Sequence, residues 1–345
     1  MPSTLPLSRR RAIQKLINRP EDFVDEVLAG ILAAHPEEPR LARDSRAIVR
    51  RDAPVQDKVA IATGGGSGHL PVFMGYVGHG LADGAAIGNV FASPSSDQML
   101  AVIQAIDAGR GVLQIYGNYG GDVMNFGLAA ELATDEGVRV ESVLCTDDVA
   151  SAPKGEEPRR RGIAGIFFLY KITGARAQEG ADLDELKAVA ERTVASVRSM
   201  GVALSPCTIP SAAEPTFELP PGEMEIGMGI HGEPGVRRGP LQTADEVTDA
   251  IMDSLLADLP ATSGSDRVDV LVNGLGATPP EELYIVFRRV AERLDTAGLA
   301  ARRVWIGEYA TSLEMAGASI SLMLVDDEMA GLMDAPASSP FFVRR

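Results

Sequence analysis

The 345-residue sequence has few cysteines, no excess of basic residues and no long apolar run. Its two cysteines provide neither the spacing of a metal site nor a disulfide framework. The formal net charge of -16 argues against nucleic acid, which requires a cationic surface, and against an anionic membrane. No apolar stretch approaches the roughly 20 residues that span a bilayer, and the N-terminus lacks the apolar segment of a signal peptide. The sequence therefore predicts a cytoplasmic protein.

Apolar strand-like runs alternate with helix-like periodic segments along the whole chain, which is typical of an α/β protein. Two helices are predicted at about Ile163 to Gln178 and Leu183 to Met200. The stretch that follows contains five prolines between residues 206 and 221, which excludes a long helix and favours a domain boundary. We therefore expect two α/β domains with mixed sheets flanked by helices, covering residues 1–205 and 206–345.

A glycine-rich run, Gly64–His69, follows a predicted strand and precedes a candidate helix. This placement would direct backbone amides and the positive end of a helix towards an anionic or oxygen-rich ligand. A tight turn without a ligand is the structural alternative. The run lacks the Gly-Lys-Ser/Thr of a P-loop and misses the dinucleotide glycine spacing, so a simple NAD or ATP enzyme is poorly supported.

Two of the four histidines lie among glycines, His69 at the end of this run and His231 within Glu225–Gly235. Neutral imidazole is a nucleophile or a base near pH 7, so such positions favour chemistry. The alternative is that each ring only forms hydrogen bonds within its own turn. Glu233 either orients the imidazole of His231 or faces solvent.

Three aspartates also follow predicted strands. Asp122 ends a glycine-rich loop, where its carboxylate would be a general base or, as the alternative, the N-cap of the next helix. Asp147 and Asp148 would either bind a metal ion or form a solvated strand end, and the second is favoured. No metal site is predicted.

Taken together, these runs resemble the ketose-binding K subunit of the dihydroxyacetone kinase family. The resemblance extends in order from about residue 9 to residue 342 and is carried by nine motifs: Gly64–His69, Gly75–Gly78, Val90–Pro94, Asn118–Asp122, Asn125–Gly127, Arg160–Gly165, Gly227–Gly235, Asn273–Gly276 and Ala310–Gly317.

The resemblance implies a homodimer of two-domain α/β subunits that binds a short ketose. His231 matches the histidine that adds to the ketone carbonyl and forms a covalent hemiaminal. Asp122 matches the carboxylate that takes the proton from the attacking hydroxyl, with His69 assisting. The substrate hydroxyls would be held by the matching loop residues Gly66, Ser67, Gly68 and His69.

The resemblance also implies that this chain binds no nucleotide itself. ATP or ADP with magnesium would be held by a separate helical L subunit, which in one branch of the family is recharged by a phosphotransferase-system protein. The chain is therefore expected to be one component of a kinase. The alternative is a non-catalytic ketose sensor that controls a transcription factor, although retention of Asp122 and His69 weighs against it.

The sequence departs from the family pattern near the predicted base. Gly117 stands where well-known members carry lysine, Gly120 where threonine is usual, and Leu70 where an acidic residue is common. A missing cation removes a charge that would bind substrate oxygen or the phosphoryl group. The substrate is therefore expected to be either dihydroxyacetone or a four-carbon ketose such as erythrulose.

Overall fold

The computed structural model describes residues 15–42, 46–212, 214–260 and 265–345. Its first half contains the strands β1 (Pro39–Leu41), β2 (Ala47–Arg50), β3 (Ala60–Ser67), β4 (Gly84–Val90), β5 (Val112–Gly117) and β6 (Val140–Cys145). The helices of this half are α1 (Phe23–Ala34), α2 (Ser96–Ile106), α3 (Gly120–Asp135), α4 (Ile166–Gln178) and α5 (Leu183–Ser196).

The first sheet has the strand order β1-β2-β4-β3-β5-β6, and the pairs β3–β4, β3–β5 and β5–β6 are parallel. All residues of β3 and β5 are buried, as expected for central parallel strands covered on both faces. The loops after β3 and β5 leave the sheet at the same edge. Ligands of α/β proteins bind at this edge, beyond the carboxyl ends of the strands.

The second half forms a sheet of order β11-β10-β12-β7-β8-β9 with mostly antiparallel pairs. Its strands are β7 (Val197–Ala203), β8 (Glu223–Ile226), β9 (Arg237–Pro240), β10 (Arg267–Gly274), β11 (Ala300–Gly307) and β12 (Gly317–Leu324). The remaining elements are α6 (Ala244–Asp258), α7 (Pro280–Thr296), α8 (Asp327–Asp334) and the hairpin of β13 (Ala337–Ser339) and β14 (Phe342–Arg344). The predicted α/β class, with mixed sheets and flanking helices, is confirmed.

The predicted helix to Met200 is wrong in its last turn. Helix α5 ends at Ser196, and the next seven residues form β7, which is buried throughout between β12 and β8. Pairing with two strands that are distant in sequence outweighs local helical periodicity here. The chain thus enters the second sheet before residue 205, and the division into domains at 205/206 stays a prediction.

Local sequence signals set the starts of three helices. A side chain at the N-cap accepts a hydrogen bond from the third helical residue, whose own side chain accepts one from the N-cap backbone. These capping boxes are formed by Ser95 and Gln98 at α2, Asp182 and Glu185 at α5, and Thr243 and Glu246 at α6. Ser95 is thus the cap of α2.

The two halves share a hydrophobic core around α4, which is buried on all sides. The Phe167 ring of α4 packs against Trp305 and Tyr309 of the second half, at centroid distances of 5.5 and 5.0 Å. Arg160 is completely buried and donates two hydrogen bonds of 2.7 Å to the Asp258 carboxylate of α6. These contacts fix the second sheet against the first, with the candidate site between them.

Among the described residues, no helix combines the length and the apolar character needed to cross a bilayer.

Candidate active site

Residues from both halves of the molecule converge on one cavity. His69 follows β3, Asp122 lies in the first turn of α3 after β5, and His231 lies in the turn between β8 and β9. The structure therefore brings the three predicted catalytic residues together, although they are up to 162 positions apart in sequence. Gly66 lines the same cavity.

The two histidine rings are in direct contact. The Nε2 atoms of His69 and His231 are 3.0 Å apart. The Nδ1 atom of His69 lies 2.7 Å from the carbonyl oxygen of Thr311, and that of His231 lies 3.0 Å from Oε1 of Glu233. Glu233 thus orients the His231 ring, as one of the two sequence interpretations expected. The other expectation, of rings bonded only within their own turns, is wrong for His69.

These contacts orient the rings of the histidine pair. A carbonyl and a carboxylate only accept hydrogen bonds, so each Nδ1 that faces them carries a proton. Burial, together with the neighbouring His231, lowers the pKa of His69 to about 3. The His69 ring is therefore neutral near pH 7, and its Nε2 faces the Nε2 of His231.

The Glu233 carboxylate is held in its ionised form beside His231. Burial alone would raise its pKa, but hydrogen bonds and charge attraction from His231 outweigh burial and lower the pKa to about 2. Glu233 Oε2 also accepts a hydrogen bond of 3.0 Å from the backbone N–H of His231. Both oxygens of the carboxylate therefore hold this turn in place.

Aromatic rings surround the histidine pair. Phe91 stacks on His69 at a centroid distance of 4.9 Å and meets the edge of His231 at 5.3 Å, while Tyr119 meets His231 at 4.7 Å. The sequence motifs contain Phe91 and Tyr119 but give them no role. Phe91 has a φ of 55°, unusual for a bulky residue, and this conformation places its ring over His69. The Thr311 contact uses a backbone carbonyl, which no side-chain pattern reveals.

Asp122 is a buried carboxylate without a fixed partner for one of its oxygens. Its residue is 7% exposed, and Oδ1 has no hydrogen-bond partner. Burial raises the pKa of Asp122 to about 6, against smaller opposing effects of Ser93 and His231. Helix α3 begins at Gly120 with Tyr119 as its N-cap residue, so the alternative role of Asp122 as the cap is wrong.

Only some residues of the glycine-rich run Gly64–His69 line the cavity. A Cβ at Gly66 would lie 2.6 Å from the backbone nitrogen of Ala92, so only glycine allows this approach. Ser67 donates its hydroxyl to the Gly88 carbonyl at 2.8 Å, and Ser67 and Gly68 line a separate apolar pocket. The expected helix after the run is absent among the described residues, where Met74–Tyr76 form one 3-10 turn. The predicted helix dipole at this loop is therefore wrong.

The two aspartates after β6, Asp147 and Asp148, both form hydrogen bonds or ion pairs within the protein. Asp147 accepts hydrogen bonds from the backbone N–H groups of Ile163 and Gly165 at 2.8 and 2.9 Å, and Asp148 forms a 2.7 Å ion pair with Arg161. Within the described ranges, no group of three potential metal ligands occurs. These carboxylates hold the loop that carries Arg161 and Gly162 beside the site.

The floor of the cavity is apolar and closely packed. Val72, Phe73, Ile163, Ile166 and Ile230 line it together with the polar residues. The cavity volume is about 20 Å³, which is sufficient for about one water molecule. A ketose therefore needs a wider space between the lining residues than this arrangement leaves.

The ring of Tyr119 lies against Gly117, the position where family members carry lysine. A Cβ at Gly117 would lie 3.0 Å from both Cδ2 and Cε2 of Tyr119. The phenol also donates a 3.0 Å hydrogen bond to the Gly162 carbonyl. In this chain the Tyr119 ring thus covers the side of the cavity at Gly117, where the resemblance predicts a lysine.

A family model, the Dak1 domain, matches residues 29–341. The chain belongs to the Dak1 family. A relative from Listeria innocua, "PTS-dependent dihydroxyacetone kinase 2, dihydroxyacetone-binding subunit DhaK", is 45% identical over 96% of this chain and 99% of its own length. The "L-erythrulose kinase" of Pectobacterium atrosepticum is 44% identical over 95% of this chain, which spans only 56% of that protein.

Solved structures confirm the fold of this Dak1 chain. The dihydroxyacetone kinase of C. freundii matches 96% of the chain with a TM-score of 0.86 and 35% identity, and the match spans 60% of that kinase. The "dihydroxyacetone kinase operon co-activator Dha-DhaQ" matches 92% with a TM-score of 0.86 and 31% identity. Relatives of this family thus include binding subunits, longer kinases and a co-activator.

Proposed function

We propose that this chain is the ketose-binding subunit of a dihydroxyacetone kinase-type phosphotransferase. It binds dihydroxyacetone or a tetrulose through a hemiaminal on His231. It then presents the terminal hydroxyl of the ketose for phosphorylation by a nucleotide-bearing L subunit. The observation that carries the proposal is the convergence of two imidazoles and a buried carboxylate on one cavity. The names of the binding subunits and erythrulose kinases among its relatives support it.

Covalent binding uses the Nε2 lone pair of His231, while its Nδ1 keeps the proton that faces Glu233. When the ketose enters beside His231, this lone pair attacks the carbonyl carbon. The carbonyl π electrons move to oxygen, which takes a proton from solvent. The product is a hemiaminal with one hydroxyl, and its ring keeps a positive charge beside the Glu233 carboxylate. A polyol such as glycerol has no carbonyl and cannot form this bond.

Phosphorylation then uses Asp122 as the base. Its pKa of about 6 leaves the carboxylate ionised at pH 7 and still basic enough to accept the hydroxyl proton. As this proton moves to Asp122, the ketose oxygen would attack the phosphorus of the donor, the bond from that phosphorus to the donor's bridging oxygen would break, and the remaining donor phosphate would leave with the L subunit. ATP or ADP with magnesium is proposed to lie on the L subunit, recharged in one branch by a phosphotransferase-system protein. A homodimer and a cytoplasmic location remain predictions of the resemblance.

The side of the cavity at Gly117 is relevant to the length of the ketose that binds. Without a lysine, this side of the cavity offers the Tyr119 ring and backbone in place of a charge. This difference supports a four-carbon ketose as an alternative to the triose. A panel of dihydroxyacetone and both erythrulose enantiomers, with glycerol as the compound lacking a carbonyl, separates these possibilities.

Carbon-13 NMR tests the covalent step directly. A ketose labelled at its carbonyl carbon should lose the carbonyl signal and show a tetrahedral carbon when bound to the protein. His231→Ala should abolish this signal, while His79→Ala, which changes a histidine outside the cavity, should retain it. If no ketose of the panel forms a tetrahedral carbon, the covalent proposal is wrong. Phosphoryl transfer to the same panel, with and without an L subunit, tests the kinase assignment.

A sensor function is the alternative favoured by the similarity to the DhaQ co-activator. A sensor requires the His231 adduct but not a base. Asp122→Asn should therefore abolish phosphorylation if the chain is a kinase subunit and should leave ketose-dependent gene regulation intact if it is a sensor. An unchanged biological activity in Asp122→Asn would favour the sensor.

A further inference from the structure

The helix that carries Asp122 also presents an apolar face to solvent. Helix α3 buries Asp122, Phe126, Ala129 and Ala133. On the solvent side, Met124 is 68% exposed, Leu128 46% and Leu132 36%, and Val123 in the first turn is 39% exposed at the flank of the helix. Met124, Leu128 and Leu132 are spaced four residues apart and therefore lie on one side of the helix. We call Met124, Leu128 and Leu132 the α3 apolar face.

This face differs from the usual solvent side of a helix, which is polar. Asp122 is the only charged residue between Gly120 and Ala129, and it is buried. Four of the thirteen exposed large apolar residues in the described part of the chain belong to this helix. Clustering of this kind marks a binding surface, whereas scattered exposed residues do not.

Glycines make the same face easy to approach. A Cβ added at Gly120 or Gly127 would meet no atom within 4 Å. Gly120, Met124, Gly127 and Leu128 share a side of the helix. On this side, the large side chains of Met124 and Leu128 therefore lie next to two glycines that have no side chain. Another element can therefore pack closely against the α3 backbone there.

The position of the face indicates its partner. Met124 follows Asp122 by two residues, so the apolar face begins within one helical turn of the residue proposed to receive the hydroxyl proton, and Gly120 and Gly121 are exposed at this end of the site. A phosphoryl donor must come within bonding distance of that hydroxyl. Its carrier therefore has to contact the start of α3.

The two classes of relatives differ in how much of their length this chain matches. The chain spans 99% of the Listeria binding subunit but only 56% of the erythrulose kinase and 60% of the C. freundii kinase. Resting on the proposed function, we infer that the α3 apolar face is the docking surface for the phosphoryl-donor subunit. That subunit presents apolar side chains and a basic rim, because Glu131 and Asp135 are exposed farther along α3.

The test uses the double variant Met124→Glu/Leu128→Glu and the purified L subunit loaded with ATP and magnesium. The matched control is Ile285→Glu, which changes an exposed apolar residue on α7. We expect the double variant to raise the KM for the L subunit by at least about tenfold with little change in kcat at saturation. The control should behave like the unchanged protein.

The carbonyl-labelled ketose separates the two proposals. If the tetrahedral carbon forms in the double variant and the KM for the L subunit is unchanged, the docking inference is wrong and the proposed function stands. If the unchanged protein forms no adduct and accepts no phosphoryl group, the proposed function itself fails. Sedimentation measures the oligomeric state: conversion of a dimer into monomers by the double variant would assign this face to a second copy and overturn the inference.

Discussion

The two halves of the molecule contribute to the site in different ways. The first sheet supplies His69, 1% exposed, from the loop after β3, and Asp122, 7% exposed, from the first turn of the helix after β5. The second sheet supplies His231 from the turn between β8 and the edge strand β9, and this side chain is 23% exposed. Burial shifts the pKa of both groups in the first half. The first half thus tunes proton affinity, and the second half carries the less buried imidazole.

The largest expected effect is the loss of kcat in Asp122→Asn, which distinguishes the role of the base Asp122 from that of the nucleophile His231. Asp122→Asn keeps the size of the side chain but removes the proton acceptor, so kcat for phosphoryl transfer should fall by about 10² to 10⁴. The hemiaminal should still form, because it uses His231. Steady-state kinetics and the labelled ketose measure both properties. Loss of the adduct in this variant would contradict the division between the two halves.

Stability should distinguish the two histidines. His69→Ala removes a buried ring that bonds to Thr311 and stacks on Phe91, and we expect a loss of about 2–4 kcal/mol in the free energy of unfolding. His231→Ala should cost less, about 1 kcal/mol, since its side chain is partly exposed, whereas that of His69 is buried. Denaturant unfolding of both variants provides the comparison. Equal losses would show that the second half is as tightly packed as the first.

The buried charge of Asp122 should lower stability at neutral pH. Because the pKa of Asp122 is raised to about 6 in the folded protein, the folded state binds this proton more tightly than the unfolded chain. The unfavourable contribution is absent at low pH and develops as pH rises from about 4 to above 6. Asp122→Asn should therefore stabilise the protein by about 2 kcal/mol at pH 7, and this gain should disappear near pH 4.

Urea unfolding of both proteins across this pH range measures the difference. A gain that is independent of pH would show that the carboxylate is not the source. The same pKa predicts that phosphoryl transfer in the unchanged protein declines as pH falls through about 6, because the base becomes protonated.

The smallest expected effect is a change in the KM for the ketose when Gly117, which lines the cavity, is substituted. Gly117→Ala places a methyl group 3.0 Å from the Tyr119 ring, which must shift beside His231. We expect a cost of about 1 kcal/mol, seen as an approximately fivefold higher KM for the ketose. Gly120→Ala is the control, since its added methyl group meets no neighbouring atom. An equal rise in KM for both variants would indicate an effect on α3 rather than on the side of the cavity at Gly117.

The sequence predicts the α/β class and the residues that meet in the cavity because glycine-framed histidines and strand-end carboxylates are local signals. It does not predict β7, whose seven residues become a strand only through pairing with β12 and β8. Nor does it reveal that Ser67 bonds to Gly88, or that Phe91 adopts a φ of 55° above His69. These features depend on contacts between segments that are distant along the chain.

The orientation of the histidine pair was also inaccessible from sequence. Each histidine alone reads as a neutral base. Only the contacts of His69 with Thr311 and of His231 with Glu233 show that both Nδ1 atoms carry a proton and that the two Nε2 atoms face each other. The direction in which each ring faces is thus a property of the folded pair.

The direct contact between the rings has a consequence for measured affinity. With about 20 Å³ available, we expect a ketose to bind only the fraction of molecules in which the space beside His231 is wider. The apparent dissociation constant equals the intrinsic one divided by that fraction, so an open state that is about tenfold rarer weakens apparent binding about tenfold. Residues outside the cavity lining, such as Glu233, are therefore expected to change the ketose affinity through the population of the open arrangement.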